Sequence, residues 1–187
     1  MSLVVQTIIC STRPGRAGPI IANWFHEAAG AHGKFDAQLV DIADFNLPVY
    51  DEPRHPMMQK YEHNHTRAWA ASVTAADAYV FVTPEYNYGP PPSLVNALNY
   101  VYREWNYKPA SFVSYGGVSG GLRAVQVEKQ ILTTLKTMPI PEQVVVQMPG
   151  QQIEDGVFTG NAMQDQSATN MLNELHRWSE ALKPLRG

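Results

Sequence analysis

The sequence predicts an α/β chain built on a doubly wound parallel sheet, and three observations predict it. Short apolar runs rich in β-branched residues alternate with stretches of helical apolar spacing. Five such runs occur, which favours the strand order 2-1-3-4-5 over an eight-stranded barrel. The first, third and fourth runs each end in a loop of glycine, proline or hydroxyl residues, as a sheet with helices on both faces requires.

Leu3 to Ile9 is a continuous apolar run that stops at Ser11-Thr12-Arg13-Pro14-Gly15, the pattern of a strand buried on both sides. Ile20, Trp24 and Ala28 then fall on one helical line with Ile21 and Phe25 beside it. Phe35 to Ile42 reads as a second strand, and Phe45 to Pro56 as a loop. A helix is expected over 61–75 with Trp69 and Val73 inward, then a strand over 78–83 stopped by Pro84. Three consecutive prolines make Glu85 to Pro92 irregular, since each removes a backbone donor. A helix over 93–102 and a strand over 110–115 follow, then the glycine-rich turn 116–121. The next helix shows a stripe at Ala124, Val127, Ile131, Leu135 and Met138. Val144 to Gln147 is the fifth strand, 149–161 has turn chemistry, and the last helix carries Met171, Leu175, Trp178 and Leu182.

The 187 residues suit one domain over 1–187, with 44% hydrophobic and 17% charged residues. A net charge of −3 argues against a nucleic-acid binder, which presents a basic patch. Cys10 is alone, so no internal disulfide forms; with no targeting or membrane-spanning segment evident, a cytoplasmic protein is expected.

In such sheets ligands sit beyond the carboxyl ends of the strands, at the switch point beside the first strand. The first loop offers hydroxyls at Ser11 and Thr12, guanidinium groups at Arg13 and Arg16, and backbone N–H groups near Gly18, where a helix begins. That combination suits a phosphate, and equally a polar strand-to-helix turn with solvated arginines. Neither a Walker A sequence nor a dinucleotide fingerprint is present. The second loop, Pro84-Glu85-Tyr86-Asn87-Tyr88-Gly89, is stiffened by prolines and sets backbone N–H groups where the edge of a planar ring could lie. The third, Ser114-Tyr115-Gly116-Gly117, lets the backbone approach a ligand closely.

Three motifs in register resemble the NADPH-dependent FMN reductase family, the flavodoxin-like group of quinone, chromate and azo-dye reductases. They are Ser11-x-Arg13 after the first strand, Pro84-Glu85-Tyr86-Asn87 after the third and Ser114-x-Gly116-Gly117 after the fourth; Leu94-x-Asn96-Ala97-Leu98 follows the family's helix pattern. The resemblance implies that Ser11, Arg13 and Arg16, with the helix start at Gly18, hold an FMN phosphate. It implies that Pro84, Glu85, Tyr86 and Asn87 line the isoalloxazine, with Ser114, Gly116 and Gly117 on its other flank. No catalytic side chain and no metal is called for: the flavin carries the chemistry, taking electrons from NADPH or NADH and passing them to a small acceptor with ping-pong kinetics. Three positions depart from the family. Cys10 stands where glycine is common, and Val95 and Asn99 replace a lysine and an acidic residue.

Two other readings share these residues. One is an FMN-bound electron carrier that does not turn over nicotinamide. The other is a serine esterase, because Gly117-Val118-Ser119-Gly120-Gly121 fits Gly-x-Ser-x-Gly, with Asp155 or Asp165 and His176 following in hydrolase order. The aromatic run from Tyr100 to Tyr107 exceeds what one helix can bury, so an exposed patch and a homodimer or tetramer are expected; the alternative is a helix that ends near Tyr102 with the other residues covering its end.

Overall fold

The computed structural model of the chain describes residues 2–186, so positions 1 and 187 of the expected domain lie outside the described residues. Strands β1 (Leu3–Ile9), β2 (Phe35–Asp41), β3 (Ala78–Pro84) and β4 (Pro109–Gly116) pair in parallel in the order β2-β1-β3-β4. The fifth place is shared. β5 (Met138–Pro139) pairs with the start of β4 and β6 (Val144–Gln147) with its end. The flavodoxin-like order 2-1-3-4-5 therefore holds. Pro139 and Pro141 lack the N–H groups an uninterrupted ladder needs, which explains the split.

Among the described residues five α-helices cover the sheet: α1 (Gly18–His32), α2 (Asn64–Ala75), α3 (Pro92–Tyr100), α4 (Leu122–Thr134) and α5 (Ala162–Leu182). Side chains alternate across a strand, and the two cores follow that alternation. Val5, Val80, Val82 and Val113 face one way and pack with Ile21 and Phe25 of α1 and Met171 and Leu175 of α5. Ile8, Phe81 and Phe112 face the other way and pack with Trp69 of α2, Leu98 of α3 and Leu132 of α4. Asn161 starts α5 with a reciprocal capping box to Gln164. At the opposite end of the sheet from the loops, Lys108 Nζ donates to the carbonyls of Val73 and Thr74, closing the C-terminus of α2. No helix among the described residues is long and apolar enough to cross a membrane.

Four expectations change. The buried face of α4 is Ala124, Val125, Glu128 and Leu132, while Val127 and Met138 are exposed and Met138 belongs to β5. A carboxylate in the middle of the true stripe diverted the pattern onto its neighbours. Helix α3 stops at Tyr100, and Tyr100, Val101 and Trp105 turn inward into the core. Of the aromatic patch expected over 100–107, Tyr100 and Trp105 are therefore in the core, and only Tyr102 and Tyr107 stay half-buried, as in a helix that ends early and is covered by the residues after it. Its one anionic member, Glu104, accepts from Tyr61 Oη at 2.9 Å and Gln59 Nε2 at 3.1 Å, which draws the segment under the 55–61 excursion. The turn region 149–161 contains a small hairpin, β7 (Ile153–Glu154) with β8 (Val157–Phe158), whose Phe158 meets Trp24 edge-on.

Candidate functional site

All three loops open at the carboxyl ends of β1, β3 and β4, which are neighbours in the sheet. In the first loop Ser11 is buried, and its Oγ lies 2.6 Å from Tyr86 Oη of the second loop while accepting from Arg13 N at 3.3 Å. The two arginines have different fates. Arg16 forms a two-point pair with Asp41 at the end of β2, 3.0 Å for Nη1–Oδ1 and 2.5 Å for Nη2–Oδ2, and its Nη1 also donates to the Ser11 carbonyl. Arg13 is exposed, and its guanidinium makes no hydrogen bond or ion pair among the described residues. Helix α1 begins without a side-chain cap and has Pro19 in its first turn, which leaves the N–H groups of Ala17 and Gly18 facing the loop.

Tyr86-Asn87-Tyr88-Gly89 in the second loop closes as a two-residue turn, with Tyr86 N to Gly89 O and Gly89 N to Tyr86 O both at 2.9 Å. Asn87 and Tyr88 sit at φ 51° and 69°. Positive φ is uncommon for a bulky residue such as Tyr88, and such conformations cluster at functional sites. The central N–H groups of this turn make no internal hydrogen bond among the described residues.

Glu85 ties the second loop to the third. Its carboxylate accepts from Ser119 Oγ at 2.7 Å, Arg123 N at 3.1 Å and Arg123 Nε at 2.7 Å, and the Arg123 guanidinium lies 3.8 Å above the Tyr88 ring. Burial opposes its charge, but the hydrogen bonds from Arg123 and Ser119 outweigh it and hold Glu85 below the usual carboxylate range. Ser119 is thus engaged with a carboxylate and an arginine. His176 lies on α5, 3.6 Å from Glu180 and edge-on to Phe35, and makes no contact with Ser119. Asp165 is in the first turn of α5 and Asp155 at the tip of the β7–β8 hairpin, so no acid–histidine pair serves Ser119.

Ser114 Oγ and Tyr115 Oη, on the last residues of β4 before the third loop, are buried without partners among the described residues. The Tyr115 hydroxyl comes so close to the start of α1 that a Cβ on Gly18 would meet it at 2.9 Å. Burial pushes its pKa up, so it stays a neutral donor. A cleft of about 950 Å³ borders the first loop, lined by Thr12, Ile42, Tyr50, Pro90, Ser93 and Asn96 among others. A second cleft, about 820 Å³, lies at the other end of the sheet around Lys108 and Arg186 and includes none of the loop residues. The pattern fits a phosphorylated planar ligand: one free guanidinium and uncapped helix N–H groups for an anion, with unbonded turn N–H groups beside it for a ring edge.

Sequence reasoning missed Asp41, Tyr115, Arg123 and Glu128. The Arg16–Asp41 pair depends on β2 lying beside β1 with Ile9 opposite Asp41. Arg123 follows Ser119 by four residues, which was readable. Glu128 is fully buried, and its Oε1 accepts from Thr83 Oγ1 at 2.5 Å. Burial pushes its pKa up to about 8.

The strand order and helix placement define a flavodoxin-like domain. Residues 3–150 match the family model for NADPH-dependent FMN reductases, and the chain belongs to that family. It is 41% identical over 155 residues to the NAD(P)H-dependent FMN reductase C4B3.06c of Schizosaccharomyces pombe, covering 82% of this chain and 77% of that one. It is 34% identical over 142 residues to the quinone reductase of Escherichia coli K12, covering 73% and 72%. The flavoenzyme NAD(P)H:(acceptor) oxidoreductase FerB of Paracoccus denitrificans has a similar fold, with a TM-score of 0.75 at 20% identity over 96% of this chain and 98% of that one.

Proposed function

We propose that this FMN-dependent oxidoreductase takes electrons from NADPH or NADH and gives them to a small flat or anionic acceptor: a quinone, free flavin, azo dye or metal oxyanion. The observation that carries the reading is the unpaired Arg13 beside the uncapped start of α1, level with the unbonded turn at Asn87 and Tyr88. FMN, when bound, supplies two-electron redox chemistry, and both substrates use one site in turn. Ser11 and Arg13 bind the phosphate with the N–H groups at Gly18, while Arg16 orients the loop through Asp41. Pro84, Glu85, Tyr86 and Asn87 line one edge of the ring and Gly116 and Gly117 the other, with Ser114 buried beneath the third loop rather than facing the ring. The Glu85–Ser119–Arg123 clasp fixes the spacing of the two edges. The similarity to FMN and quinone reductases supports the choice of donor and acceptor.

The test is the visible spectrum of the purified protein followed by anaerobic addition of NADPH or NADH. Twin flavin bands that bleach and return on adding a quinone support the reading; a yellow protein that no nicotinamide bleaches would make it an electron carrier instead. Ser119→Ala should lower reductase activity less than tenfold, because Arg123 retains its bonds to Glu85, and should cost about 1 kcal/mol of stability. An ester-cleaving activity lost in that variant would favour the hydrolase.

One flavin domain in the cytoplasm, acting as a homodimer or a tetramer built from that dimer, completes the proposal. The dimer rests on the family resemblance, since Tyr100 and Trp105 are in the core. Sedimentation of the FMN-loaded protein at micromolar concentration should give a dimer or larger; a monomer would overturn the oligomer.

A further inference from the structure

Glu128 interrupts an otherwise apolar helix face. It is fully buried between α4 and the sheet among the residues of the second core, with Val125 and Leu132 as its buried neighbours on the helix. Oε1 accepts from Thr83 Oγ1, and Oε2 has no partner. Thr83 immediately precedes Pro84, and its register partner on β4 is Ser114. Residues paired in register point to the same face of the sheet, so the orphaned Ser114 hydroxyl lies on the Glu128 side too. The carboxyl is therefore held under the two strand ends that open into the second and third loops.

The ionisable surroundings are sparse. Just after β1 the facing titratable group is the Cys10 thiol, itself buried and pushed up, first by burial and then by Glu128 and Asp41. From β3 and β4 come the hydroxyls of Thr83 and Ser114, from β5 Met138 and Pro139, and from α3 the apolar Leu94, Ala97 and Leu98. On α4 itself, Arg123 is committed to Glu85, and Lys129 lies 6.0 Å from the Phe112 ring centroid. No cation pairs with Glu128 among the described residues. Removing a carboxyl from water without a counter-charge is costly, and an apolar residue would fill this place more stably. A lone carboxyl with one bonded and one unbonded oxygen, placed under the loops, is a group able to change charge there.

We propose that Glu128 is a redox-linked proton acceptor, binding one solvent proton when the flavin held by the loops above it gains electrons and releasing that proton when the flavin is reoxidised. The proposal rests on the FMN reading. A nicotinamide delivers two electrons and one proton, which leaves the loop region one negative charge richer. One solvent proton joins Oε2 of the Glu128 carboxylate and forms an O–H bond, cancelling that charge; no bond to carbon is broken. When the acceptor withdraws the two electrons and the one proton they arrived with, the O–H bond breaks and the second proton returns to solvent. Added negative charge raises the proton affinity of a nearby carboxyl. The linkage therefore acts where Glu128 is ionised beside oxidised flavin and protonated beside reduced flavin, from about pH 8 upward.

The test is a spectroelectrochemical titration of the FMN-loaded protein from pH 7 to pH 10, in the unmodified chain and in Glu128→Gln, which mimics the protonated carboxyl in shape and charge. For a two-electron couple a tenfold change in equilibrium is about 30 mV, so each linked proton adds about 30 mV per pH unit to the slope. The unmodified protein should show an added slope approaching that size above pH 8, absent in the variant. Redox difference infrared spectra at pH 9 should show a protonated-carboxyl band appearing on reduction, and this needs only the unmodified chain should the variant fold poorly. Identical slopes in both proteins, or no such band, overturn the inference while a reducible FMN spectrum leaves the reductase reading standing. A chain that takes up no FMN overturns both.

Discussion

Arg13→Ala is expected to weaken FMN binding about ten- to a hundredfold while leaving riboflavin binding within about twofold. The figure follows from one charge-assisted hydrogen bond to a phosphate, about 1.5–3 kcal/mol. Riboflavin has the same ring without the phosphate, so the ratio of the two losses isolates the anion contact. Arg16→Ala should behave differently although it lies in the same loop. Arg16 is spent on Asp41 and the Ser11 carbonyl, and Asp41 also accepts from Ala43 N at 2.9 Å to start the turn after β2. Removing Arg16 leaves a half-buried carboxylate without its partner and loosens the β1–α1 loop, so stability and both ligands should suffer together. Titration of each apoprotein with FMN and riboflavin, followed by flavin fluorescence, makes the comparison. Equal losses for both ligands in Arg13→Ala would show that the phosphate lies elsewhere.

The difference between these arginines marks where sequence reading ends. The position of the loop was legible, because a buried strand ending in Ser11-Thr12-Arg13 in a parallel sheet can lead only to the carboxyl edge. Which arginine remained free was not, because that depends on Asp41, twenty-five residues further along and adjacent only through strand pairing. The second and third loops were legible for the same reason as the first. Their connection through Glu85 was not, since the carboxylate's partners come from the far side of a glycine turn. The aromatic run over 100–107 misled because one helix cannot bury so many rings. The chain solves this by ending α3 at Tyr100 and folding Trp105 under, where it meets Tyr79 at 4.8 Å between ring centroids. The face of α4 misled for the opposite reason. Periodicity counts apolar residues, and one of the four buried residues on that face is an acid.

The other large effect is expected where glycine is a geometric necessity, and two neighbouring glycines should give opposite results. Gly121 precedes α4 at φ 89°, and a Cβ there would lie 2.9 Å from Ser114 Cβ and Tyr115 N and 3.0 Å from Tyr115 O. Two of those three atoms are sheet backbone, which cannot yield as a side chain can. Left-handed backbone and overpacking each cost about 1–3 kcal/mol, so Gly121→Ala should lose about 2–6 kcal/mol. In a chain of this size that lowers the melting temperature by on the order of 10 °C. Gly117 is exposed, and a Cβ there meets nothing within 4 Å. Gly117→Ala should therefore leave the apoprotein within about 0.5 kcal/mol of the original. If the ring of FMN lies against the third loop, the open space beside Gly117 is where it would lie, and the same methyl should cut FMN affinity while the fold is unaffected. Thermal unfolding of the two apoproteins with and without FMN separates the cases: Gly121→Ala should be lowered in both conditions, whereas Gly117→Ala should match the original without FMN and lose part of the stabilisation that bound ligand confers. A Gly117→Ala protein stabilised by FMN as strongly as the original would place the ring away from the third loop.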